Sequence, residues 1–340
     1  MSQQPFGQEP DHRYTPRQQK TEKKNLKRAC TVLAGVFALL LIYGGTQLLL
    51  KQRDTARTEN LNKENRALLG TDAPTASPTA EVTPEATLSP APEETPEPTE
   101  PAEPVPAETA APSVRRVKGS PSPKPAVQGK FDDLIAKNSD IIGWLKTDAV
   151  YRIDFAVVQS DNNFYMDHDF SKESNREGTA FLDETNTLWP RDDHLIIYAH
   201  NMKSGSMFGE LNALSSYETI RRRPFTRFDT LYENLVYIPF AVINCDVSDP
   251  QSETYFNFYV LNFKTTGDFD RFLAKARALS MVDLSQVDVN SDDALLTLST
   301  CFDDANKTRF IVMLRKLRPD ETEESVRTAY FTELPSADSK

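Results

Sequence analysis

Three residues of this chain have the types and spacing to make and break an acyl bond. Cys301 ends the run ALLTLSTC (294–301), His200 ends HLIIYAH (194–200), and Arg309 opens RFIVMLRKL (309–317). Each run is rich in β-branched and aromatic residues and is predicted to be a strand. A side chain at a strand end reaches into a cleft while the sheet holds its backbone. In a hairpin connected by residues 302–308, Cys301 and Arg309 would sit side by side at one rim. The useful nucleophile is a thiolate, which a nearby imidazolium or guanidinium favours. A guanidinium, charged at every relevant pH, also holds a carbonyl or the oxyanion formed when sulfur attacks it. The other candidates have simpler readings. Cys245 ends a strongly apolar strand and is expected to be buried. His194 stands beside Asp192 and Asp193 and is expected at the surface, and His168, in FYMDHDF, is expected to satisfy local hydrogen bonds in a turn. Residue types alone leave open that Cys301 is incidental.

The elements that would position these residues lie between about 130 and 318, enough chain for one domain with a sizeable core. Strands are predicted at 153–159, 178–184, 194–200, 234–247, 254–263, 294–301 and 309–317, and helices at 131–138, 206–214 and 268–279, with Asp268 as a cap for the last. Many strands with few helices suggest a β-barrel or sandwich. Pro239 implies a bulge, break or edge within its strand. The three cysteines cannot staple a fold of this size, and no CxxC or HExxH spacing offers zinc a site. The net charge of −11 argues against nucleic acid as a partner.

Outside the domain the composition changes twice. Residues 29–50 carry no charge and are long enough to cross a hydrocarbon core as a helix, with no small-x-small cleavage site after them. Seven basic residues precede the run and five follow it closely, which favours a cytoplasmic N-terminus. Residues 71–125 hold 14 prolines among Thr, Glu, Ala and Ser and have too few apolar side chains to offset the entropy of ordering. The expected layout is therefore a basic cytoplasmic tail (1–28), a transmembrane anchor (29–50), a juxtamembrane polar segment (51–69), an extracellular Pro/Thr/Glu-rich linker (70–129), a catalytic domain (130–318) and an acidic tail (319–340). The tail has one apolar cluster, around Val326, Tyr330 and Phe331, that would either dock as a short helix or stay loose.

TLSTC at 297–301, followed by Arg309 in RFIVMLRKL, resembles the nucleophile and arginine strands of sortases. IIYAHNMKSGSMFGEL (196–211) is similar to the histidine segment of class B sortases, and DIIGWLKTD, FAVVQSDNNFYMDHDF and GTAFLDE match that class in order and spacing. The resemblance covers about residues 130–318. It implies a membrane-anchored cysteine transpeptidase on an eight-stranded sortase-type β-barrel, with an N-terminal helix and a helix before the nucleophile strand. Carried over, Cys301 would attack the carbonyl of a Thr-x bond in a C-terminal sorting motif and form a thioacyl enzyme. His200 would protonate the leaving amine and deprotonate the incoming one, and Arg309 would stabilise the oxyanion or position the peptide. Asp303 matches an acidic position and would orient His200 or Arg309, or else be a solvated loop charge. Asn162 and Ser299 match positions that line the substrate groove, or are ordinary turn and strand residues. Ala199, Phe302 and the stretch Met313, Leu314, Arg315 depart from the commonest pattern, which bears on motif preference and removes no catalytic group.

The partners implied are surface proteins bearing a C-terminal sorting signal, an amine acceptor from a peptidoglycan precursor or a pilin, and the membrane of a Gram-positive cell. Neither a metal nor an organic cofactor is expected. Two rivals remain: a thiol hydrolase using the same Cys-His-Arg site, and a non-catalytic tethered surface-binding module.

Overall fold

Strands with β-branched and aromatic residues bury most of the side chains they carry, and they pair edge to edge until the sheet closes on itself. The structure, a computed structural model, describes residues 16–70, 123–300 and 308–332. Its strands are β1 (Ile141–Thr147), β2 (Asp154–Val158), β3 (Phe181–Leu182), β4 (His194–Ala199), β5 (Thr226–Thr230), β6 (Asn234–Asp246), β7 (Leu295–Thr300) and β8 (Thr308–Lys316). Around the barrel they run β1-β2-β3-β4-β7-β8-β6-β5. β4 and β7 are parallel neighbours, so the long connection between them must cross over, and it carries β5, β6 and two α-helices on the way. β6 pairs with β8 along most of its length, with a register shift between Pro239 and Ala241, the irregularity that a proline without an N–H requires.

Several elements differ from the sequence expectation. The 254–263 run forms no strand of the barrel. Its backbone is satisfied piecemeal, as when the Leu261 carbonyl accepts from the His194 N–H at 3.0 Å. Its Phe256, Phe258 and Phe263 are buried, and Phe256 and Phe263 pack on Phe272 of helix α4 (Thr266–Ala278). Aromatic packing thus replaces ladder pairing. Asp268 is not the cap of α4: Thr265 is, and Asp268 completes a reciprocal capping box with it. The helix expected at 206–214 is instead a short tight turn of helix at Leu211–Ser215, followed by α3 (Tyr217–Arg222). β1 and β5, absent from the predicted strands, are barrel staves. They approach so closely that a Cβ on Gly143 would lie 2.5 Å from the Asp229 carbonyl oxygen.

The chain divides into two units, one ending at Ala56 and one beginning at Arg57. In the first, helix α1 (Pro16–Leu68) carries the uncharged run and is long and apolar enough to cross a membrane. In the second, the part of α1 from Arg57 onward belongs with the barrel. Thr58 and Asn65 are buried, Leu68 and Leu69 pack on the core, and the Gly70 N–H donates to the Lys130 carbonyl at 3.0 Å. Helix α2 (Asp132–Lys137) follows directly. The first part of the acidic tail docks: α5 (Glu323–Tyr330) buries Val326, and the fully buried Arg315 is clamped by both carboxylate oxygens of Glu321 at 2.6 and 2.7 Å.

Candidate active site

The parallel ladder of β4 and β7 runs in register from His194 opposite Leu295 to Ala199 opposite Thr300. His200 and Cys301 are therefore the residues immediately after its last pair. Cys301 and Asp303 lie outside the described residues. Thr300, the last described residue of β7, joins the three elements of the rim. Its Oγ1 accepts from the Phe310 N–H at 3.0 Å, and its carbonyl accepts from the Arg309 guanidinium at 3.0 Å. Arg309 thus lies beside the end of β7, while the expectation that it flanks Cys301 falls on a residue outside the described ones.

The half-buried guanidinium of Arg309 lies 5.6 Å from the centre of the Tyr198 ring, within cation–π range. Tyr198 donates to Asp183 Oδ2 at 2.9 Å, and its phenol is held well above its usual pKa by burial and then by the Asp183 charge. Tyr259, from the aromatic 254–263 run, hydrogen-bonds the same guanidinium. Burial pushes its pKa up and Arg309 pulls it down. Neither tyrosine carries a sequence signal of its own, since each reads as one aromatic among many.

His200 is half-buried, with Nε2 2.6 Å from the Met166 carbonyl oxygen. A carbonyl only accepts, so Nε2 carries a proton in either charge state and Nδ1 is the nitrogen left to exchange one. The His200 carbonyl accepts from the Phe208 N–H at 2.9 Å, which closes the turn NMKSGSM at its root.

The remaining candidates separate clearly. Cys245 is buried on β6 opposite Arg309, and burial pushes its thiol up to about 12, leaving a neutral packing group. His194 is not at the surface. It is fully buried, with Nδ1 donating to the Val260 carbonyl at 2.8 Å and Nε2 accepting from Thr297 Oγ1 at 2.7 Å. Burial lowers its pKa to about 4. His168 stacks on Phe164 and bonds that residue's carbonyl, a local role as expected. Asn162 is half-buried, donates to Asp183 Oδ2 at 3.2 Å and accepts from the Glu184 N–H. It therefore shares a carboxylate with Tyr198. Ser299 is fully buried, and its hydroxyl donates to the Thr300 carbonyl. Among the described residues no cluster of His, Cys, Asp or Glu is placed to hold a metal ion.

The sortase domain family matches residues 149–316 of this chain. Sortase B of Listeria monocytogenes is 35% identical over 176 residues, which cover 52% of this chain and 68% of the relative. Sortase B of Staphylococcus aureus is 28% identical over 193 residues, covering 56% and 75%. The solved complex of Staphylococcus aureus sortase B with substrate superposes with a TM-score of 0.52 at 26% identity, over 57% of this chain and 88% of that one. A solved sortase B bound to triglycine gives the same score and coverage. The closed eight-stranded barrel and the matched sequence lead to one assignment: this chain belongs to the class B sortases, cysteine transpeptidases of surface-protein sorting.

Proposed function

We propose that Cys301, His200 and Arg309 carry out transpeptidation at this rim, cutting a C-terminal sorting motif after threonine. The Cys301 thiolate attacks the threonine carbonyl, and a C–S bond forms. As the tetrahedral intermediate collapses, the C–N bond breaks and His200 gives a proton from Nδ1 to the leaving amine. The incoming amine then attacks the thioester and loses a proton to His200, and the C–S bond breaks to restore the thiolate beside a protonated His200. Arg309 holds the substrate carbonyl oxygen as it gains charge. Tyr198, fixed by Asp183, supports the guanidinium from below. Asn162 lines the substrate groove through its link to the same Asp183, and Ser299 supports the groove from behind. Asp303 orients His200 or Arg309.

The observation that carries this reading is the meeting of three chain segments at Thr300, with His200 and Cys301 each one residue past the last β4–β7 pair and Arg309 bonded to the Thr300 carbonyl. The structures of relatives with a substrate and with triglycine support an acyl donor and an amine acceptor; in this reading the donor is a surface protein and the acceptor an amine of the wall or a pilin. The uncharged run of α1 anchors the enzyme, its basic N-terminal flank stays in the cytoplasm, and the barrel works outside a Gram-positive membrane.

The test uses the full chain in detergent with internally quenched peptides carrying a central threonine, with and without triglycine, and products read by mass. The expected result is a threonyl-triglycine product. Cys301→Ala and His200→Ala should abolish it, and Arg309→Lys should lower kcat by about 10²-fold, the cost of losing an oxyanion contact. Product ending in free threonine even with saturating triglycine would make the enzyme a hydrolase. Undiminished turnover by Cys301→Ala would end the proposal.

A further inference from the structure

The turn that follows His200 is held from outside by two adjacent residues of α1. Glu59 accepts from the Arg152 guanidinium at 3.2 Å, and the same Arg152 nitrogen donates to the Ser204 carbonyl at 3.3 Å. Arg152 also faces Glu210, just past the turn, at 3.6 Å. Beside this link, Thr58 Oγ1 accepts from Asn175 Nδ2 at 3.1 Å, and Asn175 Oδ1 accepts from the Glu177 N–H at 3.0 Å. The Glu177 carboxylate, 1% exposed, accepts from both Ser206 Oγ at 2.8 Å and Ser204 Oγ at 3.2 Å. Two separate routes thus run from successive residues of one helix to the residues 204–206.

Those residues form the tip of a loop whose root is His200 itself. The Phe208 N–H donates to the His200 carbonyl, and Asn201 bridges Met207. The other attachment of His200, the Met166 carbonyl, sits at the start of the segment that also carries Asp169, to which Arg57 of α1 is ion-paired, and Asn175. Taking a carboxylate out of water is unfavourable unless hydrogen bonds replace its hydration, and here the two serines of the histidine loop supply them. A barrel that only needed closing could fill the place of Glu177 with an apolar side chain. A carboxylate bonded to two hydroxyls instead fixes the loop in direction as well as position.

We propose that the α1 segment beginning at Arg57 is a positioning element for the active site, which sets the orientation of His200 through Arg152 and Glu177. The inference rests on the assignment of His200 as the proton-transfer group. A misplacement of about 1 Å at such a group costs up to about 10²-fold in rate while leaving substrate binding intact. Loss of the brace should therefore appear in kcat and in the pH dependence, not in KM.

The experiment measures kcat, KM and the pH–rate profile of the full chain in detergent, with a quenched threonine-containing peptide cleaved by the wild type and triglycine as acceptor. Arg152→Ala, Glu59→Ala and Glu177→Ala should each lower kcat, the first and third by about tenfold, with KM unchanged and the profile displaced. Glu177→Gln, which keeps an acceptor for one serine, should recover most of the loss. Arg152 and Glu59 are partly or largely exposed, so their variants decide the matter even where Glu177→Ala fails to fold. Turnover lost in His200→Ala but unaltered in kcat and pH profile in Arg152→Ala and Glu59→Ala would overturn the brace alone. Full turnover by His200→Ala would overturn the assignment of His200 beneath it, and the brace with it.

Discussion

Cys245 and Arg309 face each other across the β6–β8 ladder, and the thiol donates to the arginine's own carbonyl at 3.7 Å. The arginine favours the thiolate, but burial outweighs it and the thiol stays protonated up to about pH 12. Of the two cysteines outside the apolar run of α1, Cys301, one residue beyond a buried strand, is the thiol left for chemistry under the proposed mechanism. Iodoacetamide treatment of the native full chain at pH 8, mapped by mass, should modify Cys301 and spare Cys245 until the protein is unfolded. Equal modification of the two would remove the distinction. Cys301 and Arg309 are legible in the sequence because each sits where an apolar run meets a polar loop. His194 misleads because flanking aspartates look like a surface. In the fold Asp192 is itself buried, accepting from Asn186, Asn262 and the Thr187 N–H, so the acidic pair belongs to a satisfied polar cluster. The Met166 carbonyl that fixes the His200 tautomer has no side-chain signature at all.

His194 also shows how the 254–263 segment is held without strand pairing, since its ring and its N–H bond the Val260 and Leu261 carbonyls. In the neutral form every polar atom of the ring is satisfied, whereas protonating Nε2 places a charge in a fully buried site and makes the Thr297 hydroxyl give up its acceptor. With a folded pKa of about 4 against an ordinary 6.5, the unfolded chain binds the extra proton first as pH falls. Stability should be intact above about pH 6.5 and decline toward pH 4, by on the order of 3 kcal/mol from this group alone. Urea unfolding at pH 7 and pH 4 should show a smaller acid loss in His194→Gln than in the wild type, and equal losses would sink the attribution. Aromatic and β-branched density misplaces a strand at 254–263 because it registers burial, and burial against α4 looks the same in sequence as burial in a sheet. β5 fails the same criterion from the other side. Its inward residues are Thr226, Phe228 and Thr230, and Thr226 donates to Thr147 of β1, so a barrel stave is built with one apolar side chain.

The Pro/Thr/Glu-rich stretch reads in sequence as a tether in series between an anchor and a domain. Of the described residues near its two ends, the Gly70 N–H meets the Lys130 carbonyl, so both ends lie in the unit that holds the barrel. The return point is pinned independently of Gly70. Gln128 bonds the Leu231 and Thr230 carbonyls, and the Lys130 ammonium, almost fully buried, pairs with Asp229 at 2.9 Å and donates to Asn234 at 2.6 Å. The intervening segment thus has both ends fixed on one unit. Its length enters stability only through loop closure, at about 0.6 kcal/mol per doubling. Replacing residues 71–122 by a bridge of about six Gly and Ser residues removes about three doublings, so the barrel should gain up to ~2 kcal/mol and keep its kcat and KM in detergent. Removing Arg57–Leu68 as well should lower kcat, because the brace on the His200 loop goes with it. Thermal unfolding and peptide turnover of the two deletions side by side test the arrangement. A bridge variant that unfolds, or that loses turnover as fully as the longer deletion, would show that the stretch does more than close a loop between two fixed ends.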